Sequence, residues 1–207
     1  MNNTRYKNGL TLIELLIAMV VTGIVMTAVA TLAYALSSAN DLTNNTSEKQ
    51  AQIRFAALRI SDLIRHSRLV CYADGDDIAV WRADDNNDGR INIGELVYIE
   101  SGPANDYLYI GEFPSSDGTA IAISSIGSPS TNWWLAYSSD IKYTMLIPQC
   151  SNVLFGFDVL PPQSKFVSIN FNILENNIVR QYQISAALRG WAGNLLDGGG
   201  EIVSDDD

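Results

Sequence analysis

The segment KNGLTLIELLIAMVVTGIVM, Lys7 to Met26, decides how this chain is read. A basic residue and a glycine lead into an apolar run that continues to Leu36. Between Leu10 and Leu36 the only charged side chain is Glu14. At 1.5 Å per residue the run makes about 40 Å of helix, enough to cross a bilayer core. A secretory signal has a shorter apolar region, about 7–15 residues, and Ala33-Tyr34-Ala35, which imitates a cleavage site, comes too late for one. A core helix of a soluble domain is rarely so long and so uniformly apolar. The run is therefore read as a membrane segment. Arg5 and Lys7 precede it and the next basic residue is Lys49, so the positive-inside rule leaves the short N-terminus in the cytoplasm and sends the bulk across.

Glu14 then needs a reason. A carboxylate at the bilayer centre costs about 2.5–3.5 kcal/mol on insertion scales, so an acid there is a functional candidate by default. Snorkelling to the interface is the plain alternative. The neighbours favour a function: a cut after Gly9 would free an α-amino group on Leu10, one helical turn from Glu14. An amine and a carboxylate, each poorly solvated, form a natural pair, within one subunit or between neighbours.

Gly9-Leu10-Thr11-Leu12-Ile13-Glu14-Leu15-Leu16-Ile17 resembles the class III signal of type IV prepilins and pseudopilins. The family pattern is a short basic leader, a glycine, a hydrophobic residue (often Phe) and then T-L-I-E; Leu10 departs from its commonest form. The resemblance implies that a prepilin peptidase cuts after Gly9 and methylates the new amine of Leu10. It also implies that Glu14 guides assembly by pairing with the N-terminus of a neighbouring pseudopilin or pilin. The location implied is the inner membrane, single-pass, with an extracytoplasmic head.

Beyond Leu36 the chain changes character. Residues 37–71 are expected to continue the helix, with a kink possible where Asn44-Asn45-Thr46-Ser47 lowers helix propensity. From Glu48, apolar residues Ile53, Ala56, Ala57, Ile60, Leu63 and Ile64 recur at steps of three and four, the mark of an amphipathic helix. His66 reads as a surface or interface residue. Short strands follow at Ile78–Trp81, Leu96–Ile99, Tyr107–Ile110, Tyr143–Ile147 and Val153–Phe157. Val167, Ile169, Phe171 and Ile173 alternate with polar residues, and Ile178, Tyr182, Ile184 and Ala186 share a face. Glu175-Asn176-Asn177 between these two runs reads as a hairpin turn. Gly111 to Ser139 reads as loop with marginal strands.

The expected fold class is α+β: a long N-terminal helix packed on an antiparallel β-sheet head. The expected parts are a leader (1–9), a membrane or filament-core helix (10–36), an amphipathic helix (37–71), a β head (72–192) and a mobile acidic tail (193–207). The layout looks like a minor pseudopilin of the J type or a minor pilin of the W type.

One loop offers a metal site. Asp84-Asp85-Asn86-Asn87-Asp88-Gly89-Arg90-Ile91-Asn92-Ile93-Gly94-Glu95 fits D-x-[DN]-x-[DN]-G with Glu at the twelfth place. Asp84, Asn86 and Asp88 offer oxygens from alternate places, and Gly89 permits a sharp bend. Arg90 offers its carbonyl, Asn92 acts through water, and Glu95 closes the site with two oxygens. The loop resembles an EF-hand or dockerin-type calcium loop, but strands flank it, which implies a structural calcium ion and not a sensor. A plain polar hairpin is the alternative, since Asn87-Asp88-Gly89 is a good turn.

The remaining residues mostly exclude. The chain has 207 residues and a formal net charge of −10, so it has little with which to neutralise phosphates and no nucleic-acid partner is expected. A single histidine, with no G-x-S-x-G or H-E-x-x-H, argues against an enzyme. Cys71 and Cys150 are too few for a disulfide framework, but outside the cytoplasm they are expected to bridge. A loop of that length would stabilise by about 4–5 kcal/mol in the chain-entropy model. The leading function is a minor pseudopilin in the tip or initiation complex of a type II secretion pseudopilus. The alternatives are a minor type IV pilin and, from another class, a membrane-anchored calcium-dependent binding module, which the Trp133-Trp134 pair would suit.

Overall fold

A computed structural model describes residues 11–74, 77–114, 117–127, 137 and 139–196, with the side chains at 42, 45 and 195 left aside. The chain divides into two compact units, Met1–Glu48 and Lys49–Asp207. Helix α1 runs from Leu12 to His66, so Asn44–Ser47 are helical. The propensity penalties there are tenths of a kcal/mol per residue, too small to end a long helix by themselves.

From Leu12 to Leu36 α1 is almost wholly apolar, and three of its threonines bond within the helix. Thr22, Thr27 and Thr31 each donate their hydroxyl to the carbonyl four residues earlier, at 2.7–2.8 Å. That back-bonding is what a helix in a water-poor medium requires. Residues 12–36 include an apolar span long enough to cross a membrane by length and composition.

In the second unit α1 ends at His66, earlier than the expected 71. Ser67 terminates it: its amide donates to Leu63 O at 2.9 Å and its hydroxyl to the same oxygen at 2.7 Å. The Arg68 amide then turns to Trp81 O, and Leu69–Ala73 becomes strand β1. The other strands are β2 (Asp77–Trp81), β3 (Leu96–Ser101), β4 (Leu108–Glu112), β5 (Lys142–Ile147), β6 (Ser151–Phe157), β7 (Phe166–Glu175) and β8 (Ile178–Ala187).

All pairings are antiparallel. Strands β1 to β5 form a five-stranded meander in chain order, and β6 to β8 form a separate three-stranded sheet. The β7–β8 hairpin turns at Asn176 and Asn177, with φ of 50° and 63°. Two consecutive positive φ values match the right-handed strand twist, and asparagine tolerates them.

The main core lies between α1 and both sheets. Ile53, Ala56, Ile60 and Ile64 of the helix meet Val80, Ile99, Ile110, Val153, Ile169, Phe171 and Ile184 among others. The expected helix stripe is thus the buried one. A second core covers the opposite face of the five-stranded sheet, where Leu69, Cys71, Trp81, Leu96 and Tyr98 meet Ile91, Ile93, Phe113, Ile123 and Ile126 from loops. The expected α+β class is observed.

The leader 1–9, the Trp133-Trp134 pair and residues 197–207 of the tail lie outside the described residues. The start of the tail makes a single 3-10 turn at Gly193–Leu195.

Candidate assembly segment and metal loop

The assembly segment is organised by local rules. Thr11 stands at the N-cap of α1. Its amide and its hydroxyl each donate to Glu14 Oε2 at 2.9 Å, and the Glu14 amide donates back to Thr11 Oγ1 at 3.3 Å. This reciprocal capping box satisfies donors that a first helical turn leaves open. Glu14 therefore closes the start of its own helix. The T-x-x-E pattern ahead of an apolar run is the sequence signature of such a box, and it escaped the sequence reading above, which assigned Glu14 to a partner amine. Gly9 and Leu10 lie outside the described residues. From Leu12 to Leu36 the large apolar side chains are all exposed, Leu12 and Tyr34 by about four-fifths. A continuous apolar surface of this kind calls for lipid or other helices.

The loop 84–95 folds as a nest of carboxylate and amide contacts. Asp84 accepts from the amides of Asp88 and Gly89 at 3.1 Å each, and from Arg68 Nη1 at 3.1 Å. Arg68 also lies over the Trp81 ring, 4.9 Å from its centre. Asn86 accepts from the Asp88 amide and donates to Asp88 Oδ2. Asn92 Nδ2 reaches both Asp88 oxygens at 3.2–3.3 Å. Gly89 takes φ +69° and Asn87 φ +57°, so the bend uses the two residue types that tolerate that region.

The structure thus brings Asp84, Asn86, Asp88 and Asn92 together, while Glu95 is engaged elsewhere. Glu95 is buried, with Oε1 accepting from the Asp85 amide at 2.7 Å and Oε2 from Trp81 Nε1 at 2.9 Å and the Asn92 amide at 3.2 Å. Arg90 contributes its amide to Asp88 Oδ1 at 2.8 Å. Among the described residues no three His, Cys, Asp or Glu side chains are grouped to hold a metal ion. Desolvation works to raise the Asp88 carboxyl, but hydrogen bonds from the Arg90 amide, Asn92 and Asn86, with the Arg90 charge, hold it below the usual range. That depressed group adds stability above its unfolded pKa, and the contribution is lost as pH falls through the folded value. The far side of the loop is stitched to 117–121: the Ile93 amide bonds Thr119 O, the Gly94 amide bonds Asp117 O, and the Ile121 amide bonds Ile91 O.

Cys71 and Cys150, expected to bridge, both carry free thiols and pack against different cores. Cys71 sits on β1 in the outer core, while the adjacent Val70 belongs to the inner one. Cys150 packs against the inner core. Burial pushes the Cys71 thiol up to about 12, against a hydrogen bond with the Trp81 backbone. Burial and the Asp106 charge push Cys150 up to about 11. Thiolate is the reactive form, so native protein at pH 8 is expected to react very slowly with a thiol reagent. Once the chain is denatured without reductant, both thiols should titrate rapidly. His66 stands at the exposed end of α1, with Nδ1 2.9 Å from Asp62 O and 3.1 Å from Asp62 Oδ1.

A pilin-like chain is what these features define: one long N-terminal helix, apolar at its start, with a head of antiparallel sheets packed on its later turns. The prokaryotic N-terminal methylation motif matches residues 4–30. The chain therefore carries a prepilin signal of the type IV pilin and pseudopilin family, and motif and helix together fit a membrane-anchored protein. The motif implies processing by prepilin peptidase and assembly with other pilins. No curated protein and no solved structure matches the chain.

Proposed function

We propose that the chain is a minor pseudopilin, a non-enzymatic subunit of the tip or initiation complex of a type II secretion pseudopilus. It would be anchored in the inner membrane with its head in the periplasm. The observation that carries the reading is the methylation motif over residues 4–30, placed at the head of a helix whose apolar side chains are exposed along its first half. Peptidase cleavage after Gly9 would give Leu10 a methylated amine, and that cation would compete with Thr11 for Glu14. Assembly would exchange the capping box for a bond to a neighbour, which gives Glu14 a reason to sit in an apolar run.

Mass spectrometry of the protein from cells that hold the peptidase is expected to find chains beginning at methylated Leu10. Glu14→Ala should be cut normally and fail to enter filaments. A chain that keeps its first nine residues in such cells would falsify the proposal. A minor pilin would share this processing. Deletion of the gene separates the two, since exported proteins accumulating in the periplasm indicate secretion, and loss of surface pili indicates the pilus.

The loop 84–95 is proposed as a structural calcium site. Asp84, Asn86, Asp88, Asn92 and the Arg90 carbonyl would hold the ion, and Glu95 would brace the loop from behind. All donors are hard oxygens, as calcium prefers. Asn92 stands against both Asp88 oxygens, within reach of an ion or its water at that carboxylate. Calcium would tie the acidic loop to the segment 117–121. A ligand that binds only the folded state raises the melting temperature with its concentration. Millimolar calcium is expected to raise the melting point of the full-length protein, magnesium much less, and Asp88→Asn should remove the shift. An unchanged melting point in calcium would exclude the site.

A further inference from the structure

The outer face of the five-stranded sheet carries two ladder rungs that the functions above do not use. On one, Asp77, Glu100, Tyr109 and Met145 are successive cross-strand partners over β2 to β5; on the other, Ala79, Tyr98, Gly111 and Tyr143 are partners. Residues two apart on a strand share a face, so both rungs point the same way. Asp77, Tyr98, Glu100, Phe113, Ile141 and Tyr143 line a cavity of about 210 Å³. Beside it, with Tyr143 as the common wall, Tyr107, Tyr109 and Met145 line an open groove.

This arrangement favours a cation. Like charges directly opposite on neighbouring strands repel, and the register sets Asp77 against Glu100. Burial raises the Glu100 carboxyl, and a hydrogen bond from the Tyr109 hydroxyl only partly offsets that. The rings add a second attraction. Tyr109 and Tyr143 meet edge to face at 5.1 Å, and Tyr98 and Phe113 at 5.8 Å, and ring faces attract cations within about 6 Å. Gly111 matters here, because a Cβ at that position would stand 3.3 Å from the Tyr143 ring.

Size and shape narrow the choice. The cavity is smaller than the roughly 300–1,000 Å³ of pockets that enclose a whole small molecule, so it suits a side chain. Two acids on adjacent strands suit a compact ammonium on a flexible stem better than a planar guanidinium, which prefers one carboxylate met in a fork. The chain's net charge of −10 favours a basic partner. We propose that this cavity receives a lysine side chain from a partner protein, with the ammonium between Asp77 and Glu100 and the alkyl stem along Tyr98 and Tyr143.

The test uses full-length protein in detergent micelles with ¹³C-labelled tyrosine rings. The probe is Nα-acetyl-lysine methylamide, compared with its norleucine and arginine counterparts. The lysine compound is expected to shift the Tyr98, Tyr109 and Tyr143 signals saturably, and the norleucine compound to leave them in place. Glu100→Gln should weaken binding at least tenfold, and Glu112→Gln, which alters the Arg59 partner on the helix side of the same sheet, should not. If Glu100→Gln fails to fold, Tyr143→Leu is expected to give the same loss. Three results would overturn the proposal: no saturable shift with lysine, equal shifts with norleucine or arginine, or full affinity in a folded Glu100→Gln variant.

Discussion

Glu95→Ala is expected to destabilise the head by about 4 kcal/mol or more. Glu95 is 4% exposed and accepts three hydrogen bonds, from Trp81 Nε1, the Asp85 amide and the Asn92 amide. A hydrogen bond to a charged group contributes about 1.5–3 kcal/mol net, and each buried donor left without an acceptor costs about 1–3 kcal/mol. Trp81 and Asn92 are each 1% exposed, so water does not replace the lost carboxylate without opening the loop. Glu95→Gln keeps the shape but has one acceptor oxygen in place of two. It can serve Asp85 or the Trp81 and Asn92 pair, and its NH₂ then faces a donor. A loss of about 2 kcal/mol is expected for it, roughly one such conflict. Thermal melts followed by near-ultraviolet circular dichroism would report both the stability and the Trp81 environment. A loss for Glu95→Ala with none for Glu95→Gln would show that volume, not hydrogen bonding, is what position 95 supplies.

Much of this architecture was legible in the sequence, where one physical signal dominated. The helix stripe Ile53, Ala56, Ile60, Ile64 is set by a 3.6-residue period that few other structures satisfy, and it is buried as expected. The alternation Val167, Ile169, Phe171, Ile173 likewise fixed β7, and all four are in the core. Strand β1 was not legible. Leu69–Ala73 is separated from the helix end by two residues, and a five-residue apolar run has no distinguishing period. Only the Ser67 cap and the turn of Arg68 to Trp81 decide it. The loop 84–95 was legible as a set of oxygens. The attachment of Glu95 to Trp81 was not, since it depends on how β2 and β3 bring positions 81 and 95 together.

Ile60→Ala and Leu58→Ala, two positions apart on α1, are expected to differ about tenfold in their effect on stability. Ile60 is fully buried and packs in the main core between the helix and the sheets, whereas Leu58 is 73% exposed. Removing a buried isoleucine to alanine costs the lost transfer energy plus a cavity, about 2–5 kcal/mol in total. Helix propensity works the other way, since alanine is the better helix former by a few tenths of a kcal/mol, so the packing loss dominates. The value expected for Ile60→Ala is about 4 kcal/mol, a drop of roughly 10 °C in melting temperature for a head of this size. Leu58→Ala should stay within about 0.5 kcal/mol, as exposed substitutions usually do. The pair also separates folding from assembly. Phe55 and Leu58 are exposed apolar residues on the same stretch of helix. If neighbouring subunits pack against that side, Leu58→Ala will lower incorporation into filaments while its melting temperature stays at the wild-type value. Ile60→Ala would lower both together, through the folded fraction alone. A large stability loss at Leu58 or none at Ile60 would mean that the helix presents another face to the sheets.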